Sequence, residues 1–147
     1  MSRKSMSRGK ATILCIDDHW NGLIRRKMLL EQNGYHVVEA TNGPEGLELF
    51  LSQPVDAVIL DYQIPGMSGD VVAAKMKSIS PQVPILLLSA YGPLPKAKLR
   101  AVDAFLSKLQ PPRILLSTLQ QMLDGSPKPF FYRWLHDWKQ RTQGARQ

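Results

Sequence analysis

The sequence predicts an α/β fold in which a doubly wound, five-stranded parallel sheet is flanked by helices. Five short segments are apolar or β-branched and end at polar or turn residues, as strands do. Helix-length stretches with apolar residues three to four positions apart separate these segments. Alternation of strand and helix along a chain is typical of a parallel sheet with helices on both faces.

The boundaries of the elements follow from these patterns. The predicted strands are residues 12–16 (TILCI), 36–39 (HVVE), 56–60 (DAVIL), 84–88 (PILLL) and 103–106 (DAFL). The predicted helices are residues 20–33, 44–53, 69–79 and 112–123, with a short helical piece near 94–101. Gly34 favours an end to the first helix, and Asn42-Gly43-Pro44 favours a turn with proline at the start of the second.

The length and composition fit one globular domain. The chain has 147 residues, 44% of them hydrophobic, which allows a sizeable core but no second folded domain. Its apolar runs are much shorter than the roughly 20 residues of a membrane span, and the N-terminus lacks an apolar signal core. We therefore expect a cytoplasmic protein. The single cysteine, Cys15, lies in a strand-like segment, which favours a buried thiol over a reactive one.

The net charge of +7 comes from the two ends of the chain. Residues 1–10 contain four basic residues and no acid, and residues 125–147 contain five basic residues and one acid. Residues 11–124 contain ten basic and eleven acidic residues. We therefore divide the chain into a basic N-terminal tail (1–10), a folded domain (11–124) and a basic, aromatic C-terminal extension (125–147).

Polar residues follow four of the predicted strands, namely Asp18, Asp61, Ser89 and Lys108. Because the carboxyl ends of parallel strands meet at one edge of a sheet, we expect these residues to lie close together. Lys108 and Ser89 could each hold a phosphoryl oxygen, the first as a point charge and the second as a hydroxyl donor.

The acidic residues of this group indicate a metal site. Asp17, Asp18 and Asp61 would repel one another unless a cation is bound between them. Mg²⁺ prefers oxygen ligands and bridges to phosphate oxygens, so two carboxylates and one backbone carbonyl would suffice to hold it. Gln63 could supply that carbonyl.

Each of these residues also has an ordinary structural explanation. Asp17 and Asp18 could simply cap the first helix, and a single lysine or serine after a strand is most often a solvated loop residue. The coincidence of all of them at successive strand ends favours a binding site. The three histidines lie on different predicted elements, which argues against a zinc site.

Five segments of the chain resemble the receiver domains of bacterial response regulators. They are ILCIDDH at the first strand, EATNGPEGLELF around the second helix, DAVILDYQIPGMSG around the third strand, ILLLSA at the fourth and DAFLSK at the fifth. The resemblance covers residues 11–124 and implies a flavodoxin-like sheet with strand order 2-1-3-4-5.

The resemblance also implies a phosphoryl-transfer function. Asp61 would accept a phosphoryl group from a phosphohistidine on a sensor histidine kinase or a histidine phosphotransfer protein. Asp18, Asp61 and the Gln63 carbonyl would bind Mg²⁺, and Asp17 would assist through a water molecule. Lys108 would contact the phosphoryl group, in keeping with a reaction that depends on alignment and charge neutralisation.

A conformational switch is the second implication of the resemblance. After transfer, Ser89 would move toward the phosphoryl group, and Phe105 would turn inward into the space that Ser89 leaves.

Two departures from the family pattern flank the fifth strand. A proline in a cis bond usually follows the lysine, whereas two residues separate Lys108 from Pro111. Pro93 and Pro95 cannot lie inside a regular helix, so we expect the fourth helix to be short, shifted or partly unwound. Since this region forms the usual output face of the family, we expect a non-standard signalling contact.

The C-terminal extension predicts an additional amphipathic helix. Its apolar residues recur at helical spacing with basic residues between them: Phe130, Phe131, Trp134, Leu135 and Trp138. Such a helix could pack on the folded domain, bind a partner protein or form a homodimer. Contact with a membrane surface or a nucleic acid is less favoured. No helix-turn-helix pattern follows residue 124, so we expect no sequence-specific DNA binding.

These observations lead us to expect a single-domain response regulator. It would be no enzyme apart from its own phosphorylation and dephosphorylation on Asp61, and it would signal to an unidentified protein by direct contact. Two alternatives stay open: a phosphorelay shuttle that passes the group to a histidine phosphotransfer protein, and an interaction module that does not use phosphorylation. A hydrolase is disfavoured because no separate general acid is apparent near Asp61.

Overall fold

Strands and helices alternate throughout the residues that the computed structural model describes, which are 9–90 and 92–125. The strands are Thr12–Ile16 (β1), His36–Ala40 (β2), Ala57–Asp61 (β3), Ile85–Ser89 (β4) and Ala104–Ser107 (β5). The α-helices in these ranges are Trp20–Gln32 (α1), Gly43–Ser52 (α2), Gly69–Ile79 (α3) and Pro112–Leu123 (α4).

The five strands form one parallel sheet in the order β2-β1-β3-β4-β5. The predicted architecture and strand order are therefore confirmed. The last four strands end one residue later than predicted, so Asp61 and Ser89 are the final residues of β3 and β4. The backbone of both residues is consequently held by the pairing of β3 and β5 with β4.

The core lies on both faces of the sheet because successive strand residues point in opposite directions. On one face, Ile13 and Cys15 of β1 belong to a buried cluster with Leu23 and Leu30 of α1 and Leu119 of α4. Burial raises the pKa of the Cys15 thiol to about 12, as expected of an unreactive core residue.

The other face is covered by α2 and α3. Leu14 and Ile16 of β1 join a second cluster there that includes Phe50, Val72 and Met76. The sheet is thus buried on both sides, as its continuous apolar strands predict.

Both predicted helix-boundary signals are confirmed. Gly34 follows the end of α1 and has φ +89°, a left-handed conformation that favours glycine. Asn42 caps α2, since its Oδ1 accepts a hydrogen bond from the Glu45 N–H at 2.8 Å. The Glu45 carboxylate in turn accepts the Thr41 N–H at 2.8 Å, which completes a reciprocal capping arrangement.

The connection between β4 and β5 contains a short 3-10 helix, Lys96–Leu99, in place of an α-helix. The expectation of a short or unwound fourth helix is confirmed, and Pro93 and Pro95 before it supply the physical reason. Leu94 and Leu99 of this connection pack against the cluster under α2 and α3. They cover the sheet where a longer helix would otherwise lie.

Some expectations concern residues beyond the described ranges. The predicted C-terminal amphipathic helix falls in residues 126–147, and most of the basic N-terminal tail falls in residues 1–8. No helix within residues 9–90 and 92–125 is long and apolar enough to span a membrane.

Candidate functional site

The sheet brings its acidic and basic strand-end residues together at one edge. Asp17 and Asp18 follow β1, Asp61 ends β3, and Lys108 follows β5. Ligand atoms of the three aspartates and of His19 all lie within 4.8 Å of one another. The predicted convergence of Asp17, Asp18, Asp61 and Lys108 is therefore observed.

Lys108 bridges the two buried carboxylates of this cluster. Its Nζ lies 3.0 Å from Asp61 Oδ2 and 3.1 Å from Asp17 Oδ2. The Asp17 side chain is fully buried and that of Asp61 is 3% exposed, so both carboxylates depend on protein donors for their solvation. The lysine is thus the common counter-ion of both.

Asp17 has two further donors. The His19 N–H donates to its Oδ1 at 2.8 Å, and Arg26 Nη1 donates to its Oδ2 at 3.2 Å. Neither Asp17 nor Asp18 is the N-cap of α1, because His19 occupies that position. The helix-capping explanation of these two aspartates is therefore wrong.

The two buried carboxyls differ in acidity. Burial alone would raise the pKa of Asp17, but the His19 N–H and the charges of Lys108 and Arg26 together bring it below its ordinary value. Burial raises the pKa of Asp61, and the hydrogen bond and charge of Lys108 offset this effect only in part. Since Asp17 has one cation more than Asp61, it is the stronger acid of the pair.

Asp61 is held at both of its carboxylate oxygens. Lys108 contacts Oδ2, and the Gln63 N–H donates to Oδ1 at 3.2 Å. Gly69 at the start of α3 donates its N–H to the Tyr62 carbonyl at 2.8 Å and thereby closes the loop that follows β3. The orientation of the Asp61 carboxylate is consequently set by Lys108, which follows β5, and by Gln63 in the loop after β3.

The two expected switch residues lie on β4 and β5. Ser89 is 1% exposed, and its carbonyl accepts the Lys108 N–H at 2.9 Å. Phe105 is 2% exposed and belongs to the cluster under α2 and α3. The ring of Phe105 is therefore already buried in this conformation. A movement of the ring that follows phosphoryl transfer stays a prediction.

The sequence reasoning missed two residues of this cluster. His19 Nδ1 lies 3.1 Å from Asp18 Oδ1, although the histidine was set aside together with the two others. Arg26 reaches Asp17 from α1 and had no assigned role. Its spacing from Leu23 and Leu30 places Arg26 on the buried face of α1. A charged residue on this apolar face is the sequence feature that could have indicated a buried partner.

The donor set of this cluster suits a hard divalent cation. Carboxylate oxygens dominate it, and Asp18, 31% exposed, is the carboxylate most open to an incoming ion. Asp17 is fully buried and accepts hydrogen bonds from His19, Arg26 and Lys108, one donor more than Asp61 has, so it fits a supporting position better than a direct ligand. The residues present therefore fit Mg²⁺.

The family of the chain follows from its match to known proteins. A family model described as the response regulator receiver domain matches residues 13–120. The chain therefore belongs to the receiver domain family of two-component response regulators, in agreement with the resemblance of its motifs.

Curated relatives include regulators and a phosphotransferase. The transcriptional regulatory protein GlrR of Escherichia coli K12 is 31% identical over 132 residues, which are 88% of this chain and 30% of GlrR. Sporulation initiation phosphotransferase F of Bacillus subtilis is 33% identical over 82 residues, 56% of this chain and 66% of that protein. The chain thus spans less than a third of the length of GlrR.

Solved structures of receiver domains have the same fold. A CheY-like receiver domain protein of Methanospirillum hungatei JF-1 superposes with TM-score 0.75 and 28% identity, covering 79% of this chain and 95% of that one. The response regulator TrrA of Thermotoga maritima, solved in complex with Mg²⁺ and BeF, gives TM-score 0.73 and 32% identity over 76% of this chain and 98% of TrrA.

Proposed function

We propose that this receiver domain accepts a phosphoryl group on Asp61 from a sensor histidine kinase or a histidine phosphotransfer protein. The observation that supports this best is the fixed position of Asp61 between the Lys108 ammonium and the Gln63 N–H. A reaction that depends on alignment and on neutralising charge needs a nucleophile held in this way.

In the proposed reaction, a carboxylate oxygen of Asp61 attacks the phosphorus of the phosphohistidine. A new P–O bond forms, the P–N bond breaks, and its electron pair returns to the imidazole of the donor. Lys108 can then follow the phosphoryl oxygens, because its Nζ already contacts Asp61 Oδ2. Bound Mg²⁺ would neutralise negative charge on the same oxygens, and Asp18, Asp61 and the Gln63 carbonyl would hold it.

The output that we propose is phosphorylation-dependent contact with another protein in the cytoplasm. One feature of α1 supports an exposed protein-binding surface beside Asp18. Trp20, Ile24 and Met28 recur at four-residue intervals, and they are 57%, 37% and 55% exposed. Apolar side chains exposed in a row on one helix face favour contact with another protein. Beyond its own phosphorylation and dephosphorylation, we propose no enzymatic activity.

A phosphorelay shuttle is the second candidate function. It is favoured by the similarity to the B. subtilis protein named a phosphotransferase, of which this chain covers 66%. Transfer of the phosphoryl group from the modified chain to a histidine phosphotransfer protein would distinguish the shuttle from a terminal switch.

The experiment that tests the proposed function is intact-protein mass spectrometry after incubation with acetyl phosphate and Mg²⁺. We expect one phosphoryl adduct on the wild type, which EDTA and the Asp61→Asn substitution both abolish. Asp70→Asn is the matched control, because Asp70 pairs with Ser68 and Lys98 and lies outside the acidic cluster. If neither acetyl phosphate nor any tested kinase produced an adduct, the phosphorylation-independent interaction module would replace our proposal.

A further inference from the structure

We propose that Arg26 is a positioning residue of the phosphoryl site, which holds Asp17 in place and supplies the positive charge that Lys108 takes away when it turns to the phosphoryl group. This inference rests on the proposed function, because it concerns the same site. The family resemblance implies no role for Arg26.

The position of Arg26 is structurally specific. It shares the inward face of α1 with Leu23 and Leu30, and its side chain is 11% exposed. Its Nη1 lies 3.2 Å from Oδ2 of Asp17, which is fully buried. Burial of a guanidinium costs desolvation free energy, and a nearby opposite charge is needed to offset that cost. Arg26 is therefore bound to the site rather than to solvent.

Arg26 and Lys108 share one acceptor. Oδ2 of Asp17 lies 3.2 Å from Arg26 Nη1 and 3.1 Å from Lys108 Nζ, and Lys108 also contacts Asp61. When Lys108 follows the phosphoryl oxygens, Arg26 is the cation that stays on Asp17. The buried carboxylate then keeps a counter-ion, so its orientation toward the site does not change.

The charge of Arg26 also decides the electrostatic balance of the site. Three carboxylates face two cations when no metal is bound, which leaves an excess of one negative charge. A divalent cation turns this into an excess of one positive charge, and that excess attracts an anionic phosphoryl donor. An acyl phosphate on Asp61 adds roughly one more negative charge than the free carboxylate, which brings the site close to neutrality. Without Arg26, the phosphorylated site would be negative.

Opposite effects on the metal and on the phosphoryl group follow from this balance. The positive charge of Arg26 repels Mg²⁺ and attracts the phosphoryl oxygens. Removal of that charge by Arg26→Gln should therefore tighten Mg²⁺ binding by about three-fold or more and weaken binding of a phosphoryl mimic by a similar factor, as expected for buried charges at short range. A residue that only stabilised the fold would weaken both.

The test is a pair of NMR titrations on the full chain. Mg²⁺ alone is titrated first, and beryllofluoride is then titrated at saturating Mg²⁺, with backbone amide shifts as the readout. The variants are Arg26→Gln, Arg26→Lys and, as the matched control, Arg25→Gln. Arg25 is the adjacent arginine of α1 and is exposed. We expect Arg25→Gln to leave both affinities within about two-fold of wild type, and Arg26→Lys to return both toward wild type.

Each outcome decides the proposal. Opposite changes in the two affinities for Arg26→Gln, absent from Arg25→Gln, support it. Changes in the same direction, or changes equal to those of Arg25→Gln, overturn it while the proposed function stands. Absence of Mg²⁺ binding by the wild type would overturn both. If Arg26→Gln does not fold, the same comparison is made between Asp17→Asn and the double variant Asp17→Asn/Arg26→Gln, in which no buried carboxylate loses its partner.

Discussion

The Lys108 ammonium lies 3.0 Å from Asp61 Oδ2 although Leu109, and not a proline, follows the lysine. No cis peptide bond occurs in residues 9–90 and 92–125. The lysine is instead held by hydrogen bonds of its own loop. The Lys108 N–H donates to the Ser89 carbonyl at 2.9 Å, and Ser107 Oγ accepts the Leu109 N–H at 3.0 Å. A serine-based turn therefore positions Lys108 in this chain.

Loss of the Ser107 hydroxyl tests this alternative turn. We expect Ser107→Ala to lower the free energy of unfolding by about 1 kcal/mol, the usual contribution of one hydrogen bond. Phosphorylation by acetyl phosphate should slow several-fold, because Lys108 would be less well fixed. Ser117→Ala on α4 is the control, since its exposed hydroxyl donates only within its own helix, to Ile114. Equal phosphorylation rates for the two variants would contradict this role of Ser107.

Substitution of Asp61 should stabilise the metal-free protein at neutral pH. Since burial raises the pKa of Asp61, its charged form is less favourable in the folded state than in the unfolded state. Asp61→Asn removes that charge, so we expect a higher melting temperature in EDTA at pH 7. The difference should disappear below the ordinary pKa of 3.8, where the wild-type carboxyl is protonated in both states.

Asp17→Asn is the control, because it should change the melting temperature in the opposite direction. The pKa of Asp17 is lowered in the folded state, so its charge stabilises the fold above the ordinary value of 3.8. This contribution is lost as the pH falls through the lower pKa of the folded state. We therefore expect Asp17→Asn to lower the melting temperature at pH 7. A shift in the same direction for both variants would contradict the assignment of the two acidities.

The contact between Gly69 and β3 leaves no room for a side chain. A Cβ atom at Gly69 would lie 2.6 Å from the Asp61 carbonyl oxygen and 2.8 Å from the Tyr62 Cα, both of which are backbone atoms. We expect Gly69→Ala to destabilise the fold by about 1–3 kcal/mol, as overpacking does, and to disturb Asp61. Denaturant unfolding measures this cost.

Gly22→Ala is the matched comparison for that measurement. A Cβ at Gly22 would meet Asp17 Oδ2 at 3.6 Å, which is an ordinary contact distance. Because alanine has a higher helix propensity than glycine, Gly22→Ala should stabilise α1 by up to about 1 kcal/mol. Equal effects of the two substitutions would show that backbone clearance at Gly69 is not the deciding factor.

The exposed apolar row on α1 should matter for transfer between proteins and not for the chemistry itself. We expect Met28→Glu to slow transfer from a cognate kinase about ten-fold or more, as for a residue at the centre of an interface. The rate with acetyl phosphate should stay unchanged. Leu51→Glu is the control, because Leu51 is 65% exposed on α2. Loss of both reactions in Met28→Glu would indicate damage to the fold instead.

The parts of this structure that could be predicted are those that depend on local pattern. Apolar strands, helical spacing and turn residues predicted the five parallel strands and α1 to α4, because these patterns show which faces are buried. The order of the strands was implied by the family resemblance. The convergence of Asp18, Asp61 and Lys108 followed from parallel topology alone. The 3-10 helix was also foreseeable in outline, since proline excludes a regular helix.

The remaining features depend on contacts between distant elements. The bond from Arg26 to Asp17 joins α1 to the end of β1, and neither residue indicates its partner in sequence. Phe105 lies in the buried cluster against which Leu94 and Leu99 of the connection after β4 pack. His19 joins the acidic cluster because the loop before α1 turns its ring toward Asp18. Each of these contacts depends on the direction of a side chain in the folded structure, which the local sequence pattern does not specify.

The most direct test of the account is to locate the modified residue. After incubation with acetyl phosphate and Mg²⁺, an acyl phosphate can be reduced with borohydride, which converts the modified aspartate to homoserine. Peptide mass spectrometry should then find homoserine at position 61, and EDTA should prevent its formation. Homoserine at Asp17, Asp18 or any other aspartate, with Asp61 unmodified, would contradict the central claim that Asp61 is the phosphoryl acceptor.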